Sequence, residues 1–234
     1  MPVAVVTGAS KGLGRALAVA LARRGWDLVL DARGAAALGA AARSLSGGGR
    51  VVPVAGDVTD GAHRADLVAA ARGLGGLDLL VHNASALGAR PLVALGELPP
   101  EGLRDALETN VVAPLALTQE ALGLLRASGA GAVVCVSSDA AVEAYGTWGG
   151  YGASKAALDH LAAVLGVEEP GLRVWAVDPG DLRTELYRAA VPDDPDFGER
   201  PLPEEVVPGF LRLLDERPPS GRYTAPSLAV GVRS

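Results

Sequence analysis

Tyr151 and Lys155 stand four residues apart in Tyr151-Gly152-Ala153-Ser154-Lys155. On a helix that spacing puts a phenol and an ammonium on one face, one turn apart. A free phenol, with a pKa of about 10, is a poor base near neutrality. A neighbouring positive charge stabilises the phenolate, so the pair could move a proton to or from an alcohol or carbonyl oxygen. Ser138, thirteen residues before Tyr151 at the predicted end of a strand, offers a hydroxyl to charge developing on that oxygen. Strand alternation sends its neighbour Ser137 to the opposite face. Far upstream runs Thr7-Gly8-Ala9-Ser10-Lys11-Gly12-Leu13-Gly14, a glycine turn feeding a helix N-terminus. Gly8 permits the turn, Gly12 lets backbone approach a pyrophosphate, and Gly14 allows close helix packing. The helix start supplies free N–H groups and a positive dipole end. Each feature alone has a plain alternative: a surface Tyr–Lys pair, a strand-end serine, a chance glycine turn. In this order and at this separation they read together as a nicotinamide-dependent carbonyl/alcohol oxidoreductase.

Elements that could position these groups alternate along the chain. Short branched-rich runs at Val3–Val6, Asp27–Leu30, Val51–Val54, Leu77–Val81, Ala132–Val136 and Arg173–Val177 predict buried parallel strands. Helical composition fills Gly12–Arg24, Ala35–Leu45, Gly61–Arg72, Pro100–Ala127 and Tyr151–Val167. The alternation predicts an α/β fold with a doubly wound parallel sheet and ligands beyond the carboxyl ends of its strands. Residues 181–203 differ: Pro192, Pro195, Pro201 and Pro203 with several acids interrupt any long helix. They read as a substrate-side lid or, more simply, a surface loop. Arg222–Ala225 could form a last strand, and the whole chain, 1–234, reads as a single domain.

A length of 234 residues suits one such domain, with 49% hydrophobic and 21% charged residues. A net charge of −6 argues against broad binding to nucleic acid or anionic membranes. The single cysteine, Cys135, allows no internal disulfide and fits a reducing cytoplasm. No run approaches the roughly 18 apolar residues of a membrane span, and the opening residues carry no secretory pattern. His63 and His160 have no metal-ligand spacing with Cys135, so no metal site is expected.

Thr7–Gly14, Asp57-Val58, Asn83-Ala84, Asn110, Ser138, Tyr151, Lys155 and Pro179-Gly180 together resemble the motif series of the short-chain dehydrogenase/reductase family, over residues 1 to about 185. The resemblance implies a single Rossmann-type domain of about seven strands with helices on both faces, and a homodimer or homotetramer. It implies cofactor contacts from Gly8, Ser10, Lys11, Gly12, Leu13, Gly14, Asp57, Val58, Asn83, Ala84, Tyr151, Lys155, Pro179, Gly180, Leu182 and Thr184. Asp57 has a second reading as a turn or helix cap. Asn110 falls where members of the family bend a helix and bind a water linked to the lysine, which suggests a proton relay.

Cofactor choice turns on Asp31-Ala32-Arg33. An acid at the end of the second strand binds the ribose hydroxyls of NAD, whereas a base there favours the 2′-phosphate of NADP. By spacing from Gly14, Ala32 takes the acid's position and Arg33 the base's, and Lys11 adds a second base in the loop. NADP(H) is the expected cofactor, with NAD(H) the alternative if the register shifts by one to Asp31. Plain solvated surface charge is the bland reading of Lys11 and Arg33.

The chain departs from the family pattern in His82-Asn83-Ala84-Ser85, where many relatives end in glycine; a serine there restricts the backbone. His82 is expected to be packed and hydrogen-bonded, and Asp178 to be a solvated turn acid. Tyr145, Trp148, Leu186, Tyr187 and Phe197 suggest an apolar or aromatic carbonyl substrate, or else simply pack the helix base or a subunit contact. The stretch Thr224–Ser234 lacks the glycine-rich ending of fatty-acid-type ketoacyl reductases, which argues against an acyl-carrier substrate. The competing functions are a catalytically silent dinucleotide-sensing regulator of the same fold and, less well supported, a sugar-nucleotide epimerase or dehydratase.

Overall fold

The computed structural model describes residues 1–229; residues 230–234, which end the C-terminal stretch weighed above, lie outside the described residues. Seven parallel strands lie in the order β3-β2-β1-β4-β5-β6-β7. They are β1 Val3–Val6, β2 Asp27–Ala32, β3 Val51–Ala55, β4 Leu79–His82, β5 Ala132–Val136, β6 Arg173–Asp178 and β7 Gly221–Thr224. The intervening helices are α1 Gly12–Arg23, α2 Ala35–Ser44, α3 Gly61–Leu74, α4 Pro100–Leu107, α5 Ala113–Ala127, α6 Gly149–Glu168, α7 Glu185–Ala190, α8 Pro203–Glu216 and α9 Ala225–Ala229.

Strand alternation builds two cores. Ala4, Val6, Leu28, Leu30, Val134 and Trp175 pack on the face covered by α1, α2 and α8. Val3, Val5, Val29, Leu80, Val133 and Val174 pack on the face covered by α3, α5 and α6. Burial on both faces explains why the central strands read as continuous apolar runs. The order reverses between β1 and β4, so the connections leaving their carboxyl ends diverge and a crevice opens there.

The expected helix over Pro100–Ala127 is two helices joined by a π turn, Glu108–Val112. Pro114 withholds the N–H that a regular helix would give to the Asn110 carbonyl, and the chain widens there. The turn buries Asn110 to 1% exposure. Segment 181–203 holds α7 and a short 3₁₀ turn, Phe197–Glu199. Arg200 fixes this segment through Asp181 at 3.0 Å and Asp194 at 3.1 Å. No helix among the described residues is long and apolar enough to cross a membrane.

Candidate active site

The carboxyl ends of the strands open onto a cavity of about 1000 Å³. Its wall gathers Gly8, Ser10, Lys11, Gly12, Leu13, Arg33, Asp57, Val58, Asn83, Ala84, Pro179, Gly180, Leu182 and Thr184, with Ser138, Trp148, Tyr151, Lys155, Leu186 and Tyr187. Gly14, Asn110 and Tyr145, also expected at the site, stand off the wall.

The glycine loop is held by its neighbours. Gly8 and Gly12 have φ of +65° and +56°, where a side chain would be strained. A Cβ on Gly14 would lie 2.4 Å from Asn83 Nδ2 and 2.5 Å from the Gly8 carbonyl, so α1 starts hard against the loop. Asn83 Nδ2 donates to the carbonyls of Thr7 at 2.8 Å and Gly8 at 3.2 Å. Its amide thus fastens the loop from the cavity wall. The start of α1 carries no side-chain cap and no acid in its first turn, leaving its N–H groups for an anion.

Around the outer end of the cavity stand three exposed cations, Lys11, Arg15 and Arg33. Sequence reading missed Arg15, which falls one helical turn after Lys11 and so shares its face. Lys11 is ion-paired to Glu185 across the crevice. Asp31 faces inward. Its Oδ1 is 2.6 Å from His63 Nε2 and its Oδ2 accepts from the Gly8 N–H at 3.3 Å, with 2% of the residue exposed. Burial raises its pKa, while His63 and the Gly8 amide oppose the rise. His63 was singled out only as an unfit metal ligand; a lone apolar-face histidine gives no hint of a partner on another element. Asp57 accepts from the Thr59 N–H at 3.0 Å and its hydroxyl at 2.8 Å, and those bonds, the backbone one foremost, hold its pKa down. The cap of α3 is Asp60 instead.

Deeper in the cavity the groups are buried. Lys155, 2% exposed, donates to the Val136 carbonyl at 2.8 Å. Burial pulls its pKa down to about 8, against the attraction of Asp159 and Cys135. Its Nζ lies 5.5 Å from the centroid of the Tyr151 ring. Burial raises the Tyr151 pKa above the ordinary phenol value; the nearby Ser85 hydroxyl opposes this, and the charges of Asp139 and Asp178 add to it. Ser85 therefore does more than replace a glycine. Its φ is not in the left-handed region, so the expected backbone restriction has no consequence, and its hydroxyl donates to Asn110 Oδ1 at 3.2 Å.

The Ser138 hydroxyl donates to Asp139 Oδ1 at 3.0 Å and accepts from the Ala140 N–H at 3.2 Å. It caps a 3₁₀ turn while lining the cavity. The Asn110 amide donates to the Ala86 carbonyl and to Ser154 Oγ, each at 2.8 Å, and its oxygen accepts from Ala86 N–H and Ser85. All its side-chain bonds brace the loop after β4 and helix α6, so the side chain is not itself a link to Lys155. His82 is packed against Thr118 Oγ1 at 2.8 Å, and burial pulls its pKa to about 3.

On the remaining wall Trp148 meets Tyr151 edge-on at 5.7 Å and Tyr187 at 6.4 Å, and Tyr187 stacks on Phe197 at 6.3 Å. Tyr145 does not join them: it is 47% exposed, and its hydroxyl donates to Asp139 Oδ2 at 3.0 Å. Asp178 is not a solvated turn acid. It is 7% exposed and accepts from the Gly180 N–H at 2.9 Å. The strand signal ended too early for sequence reading to see that β6 carries Asp178 inside.

Comparison with known proteins places this geometry. Residues 2–195 match the family profile described as short chain dehydrogenase. The uncharacterized oxidoreductase YciK of Escherichia coli is 32% identical over 91% of this chain and 85% of its own length. A short chain dehydrogenase structure from Pseudomonas syringae superposes with a TM-score of 0.89 at 30% identity, covering 95% of this chain and 93% of that one. A short chain dehydrogenase from Shigella flexneri, complexed with NADP, gives 0.85 at 29% identity, covering 96% and 97%.

Proposed function

The chain belongs to the short chain dehydrogenase family, and on that premise we propose that it is an NADP(H)-dependent oxidoreductase interconverting a carbonyl and a secondary alcohol. The observation that carries the cofactor choice is the contrast at the outer end of the cavity. Lys11, Arg15 and Arg33 are exposed there, while both oxygens of Asp31 are engaged by His63 and Gly8. A 2′-phosphate meets bases, and the carboxylate that would repel it, although on the cavity wall, has both oxygens already engaged. The Shigella relative, with NADP bound, supports the same choice.

A bound nicotinamide would supply or accept the hydride. Tyr151, like any phenol, keeps its proton at neutral pH, and burial raises its pKa further, which suits a general acid that protonates the developing alkoxide. Lys155, charged below about pH 8, stabilises the phenolate left behind, and two of its three N–H donors remain for the ribose. Ser138 must rotate its hydroxyl from Asp139 toward the substrate oxygen. The aromatic wall of Trp148 and Tyr187, with Leu186, favours an apolar or aromatic carbonyl, and segment 181–203 serves as its lid. Exposed Val112, Leu115, Val164 and Val167 on the π turn, α5 and α6 support self-association, which a single monomeric species in sedimentation would contradict.

The test is NADPH oxidation with a panel of aromatic and aliphatic ketones. Turnover of at least one class supports the reading. Tight NADPH binding with turnover of none would leave a silent nucleotide sensor.

A further inference from the structure

Arg222 lies on β7, paired in register with Ala176 of β6, and its side chain is 29% exposed. Its guanidinium reaches three elements. Nε donates to Asp159 Oδ2 at 3.0 Å. Nη2 donates to the Ser138 carbonyl at 2.9 Å and lies 3.4 Å from Asp178 Oδ2.

Each partner leads to a different part of the reaction centre. Ser138 carries the hydroxyl offered to the substrate oxygen. Asp178 accepts from the Gly180 N–H through its other oxygen and so shapes a turn whose Gly180 has φ of +73°. Asp159 follows Lys155 by one turn of α6, on the same face. Its Oδ1 is buried without a hydrogen-bond partner among the described residues, so that oxygen's charge acts on its surroundings through space alone. Asp159 and Asp178 also converge on one point, where without a base two largely buried carboxylates would oppose each other.

We propose that Arg222 is a positioning residue for the reaction: one guanidinium holds the serine, the Gly180 turn on the cavity wall and the carboxylate behind the lysine in a single frame. The proposal rests on the oxidoreductase reading above. A planar fork with several fixed donors suits this task, and a lysine can reproduce only part of it.

The test compares wild type with Arg222→Gln and Arg222→Lys by thermal melting, NADPH titration with the fluorescence of the bound nicotinamide, and steady-state reduction of para-nitroacetophenone. Arg222→Gln is expected to keep its NADPH Kd within about threefold, because the cations at the far end of the cavity are untouched. Its kcat should fall by about ten- to a hundredfold with KM little changed, as for misplaced reacting groups, and its bound-nicotinamide fluorescence should differ from wild type. Arg222→Lys should recover part of kcat. A kcat equal to wild type, or one that falls only in step with the folded fraction, would overturn the proposal. If wild type itself turns over no carbonyl, the functional reading is what fails. The fluorescence comparison then decides on Arg222: altered nicotinamide emission at unchanged affinity supports the frame, and identical emission overturns it.

Discussion

The two ends of the cavity are built in opposite ways. At the outer end, backbone makes the site: glycines at positive φ, helix N–H groups and a loop fastened by Asn83. The side chains there, Lys11, Arg15 and Arg33, are exposed and held loosely if at all. At the inner end, side chains make the site, and they are buried and tied to neighbouring elements. Lys155 is tied to β5, Asn110 to the loop after β4 and to α6, and the Ser138 carbonyl to β7. Exposed charges contribute modestly and can be exchanged without disturbing the fold. Buried hydrogen-bonded groups cannot, because removing one partner strands another. Cofactor choice should therefore be easy to retune in this protein, and proton transfer hard.

The largest effect that would break this contrast concerns Tyr151. Tyr151→Phe should lower turnover by about 10²- to 10⁴-fold, the usual contribution of a positioned proton donor, while NADPH titration gives an unchanged Kd. Near-normal turnover would remove the phenol from the mechanism. Next comes Arg33→Ala, expected to weaken NADPH by about ten- to a hundredfold, the worth of a charged hydrogen bond, and to leave NADH alone. Equal weakening of both cofactors would mean that Arg33 does not meet the phosphate.

Acidity sharpens the comparison further. Lys155 has its pKa lowered to about 8, so it is an ammonium below that pH and neutral above it. Turnover should fall as pH rises through about 8. Asp159→Asn removes a charge that favours the ammonium and should move that fall to lower pH. A fall that moves to higher pH, or stays where it was, would contradict the arrangement. The smallest effect is expected at Asp31. Asp31→Asn should shift the NADPH-to-NADH affinity ratio by less than about threefold, roughly 0.7 kcal/mol, because that carboxylate faces His63. A large shift toward NADPH would show that it faces the cofactor after all.

The contrast also explains what could be read from sequence. The β1 loop was legible because its chemistry depends on glycines at fixed spacing, and the parallel sheet because both of its faces are apolar. Tyr151 and Lys155 were legible because four residues on a helix make one turn. Ser85 was noticed only as a missing glycine; that its hydroxyl meets Asn110 depends on how the loop after β4 and the π turn come together. His63 and Arg222 were illegible for the same reason, since their partners lie 32 residues away at Asp31 and 84 residues away at Ser138. The π turn at Asn110 was expected only as a bend borrowed from resemblance, although Pro114 gives its physical cause. Tyr145 was misplaced because position between two site residues does not fix which way an exposed loop side chain turns.

The most direct measurement is a pair of fluorescence titrations of the wild-type protein, one with NADPH and one with NADH. The account predicts binding at least about tenfold tighter for NADPH, equivalent to about 1.4 kcal/mol. Tighter binding of NADH would mean that Asp31 governs the pocket, and binding of neither by the folded protein would contradict the oxidoreductase reading itself.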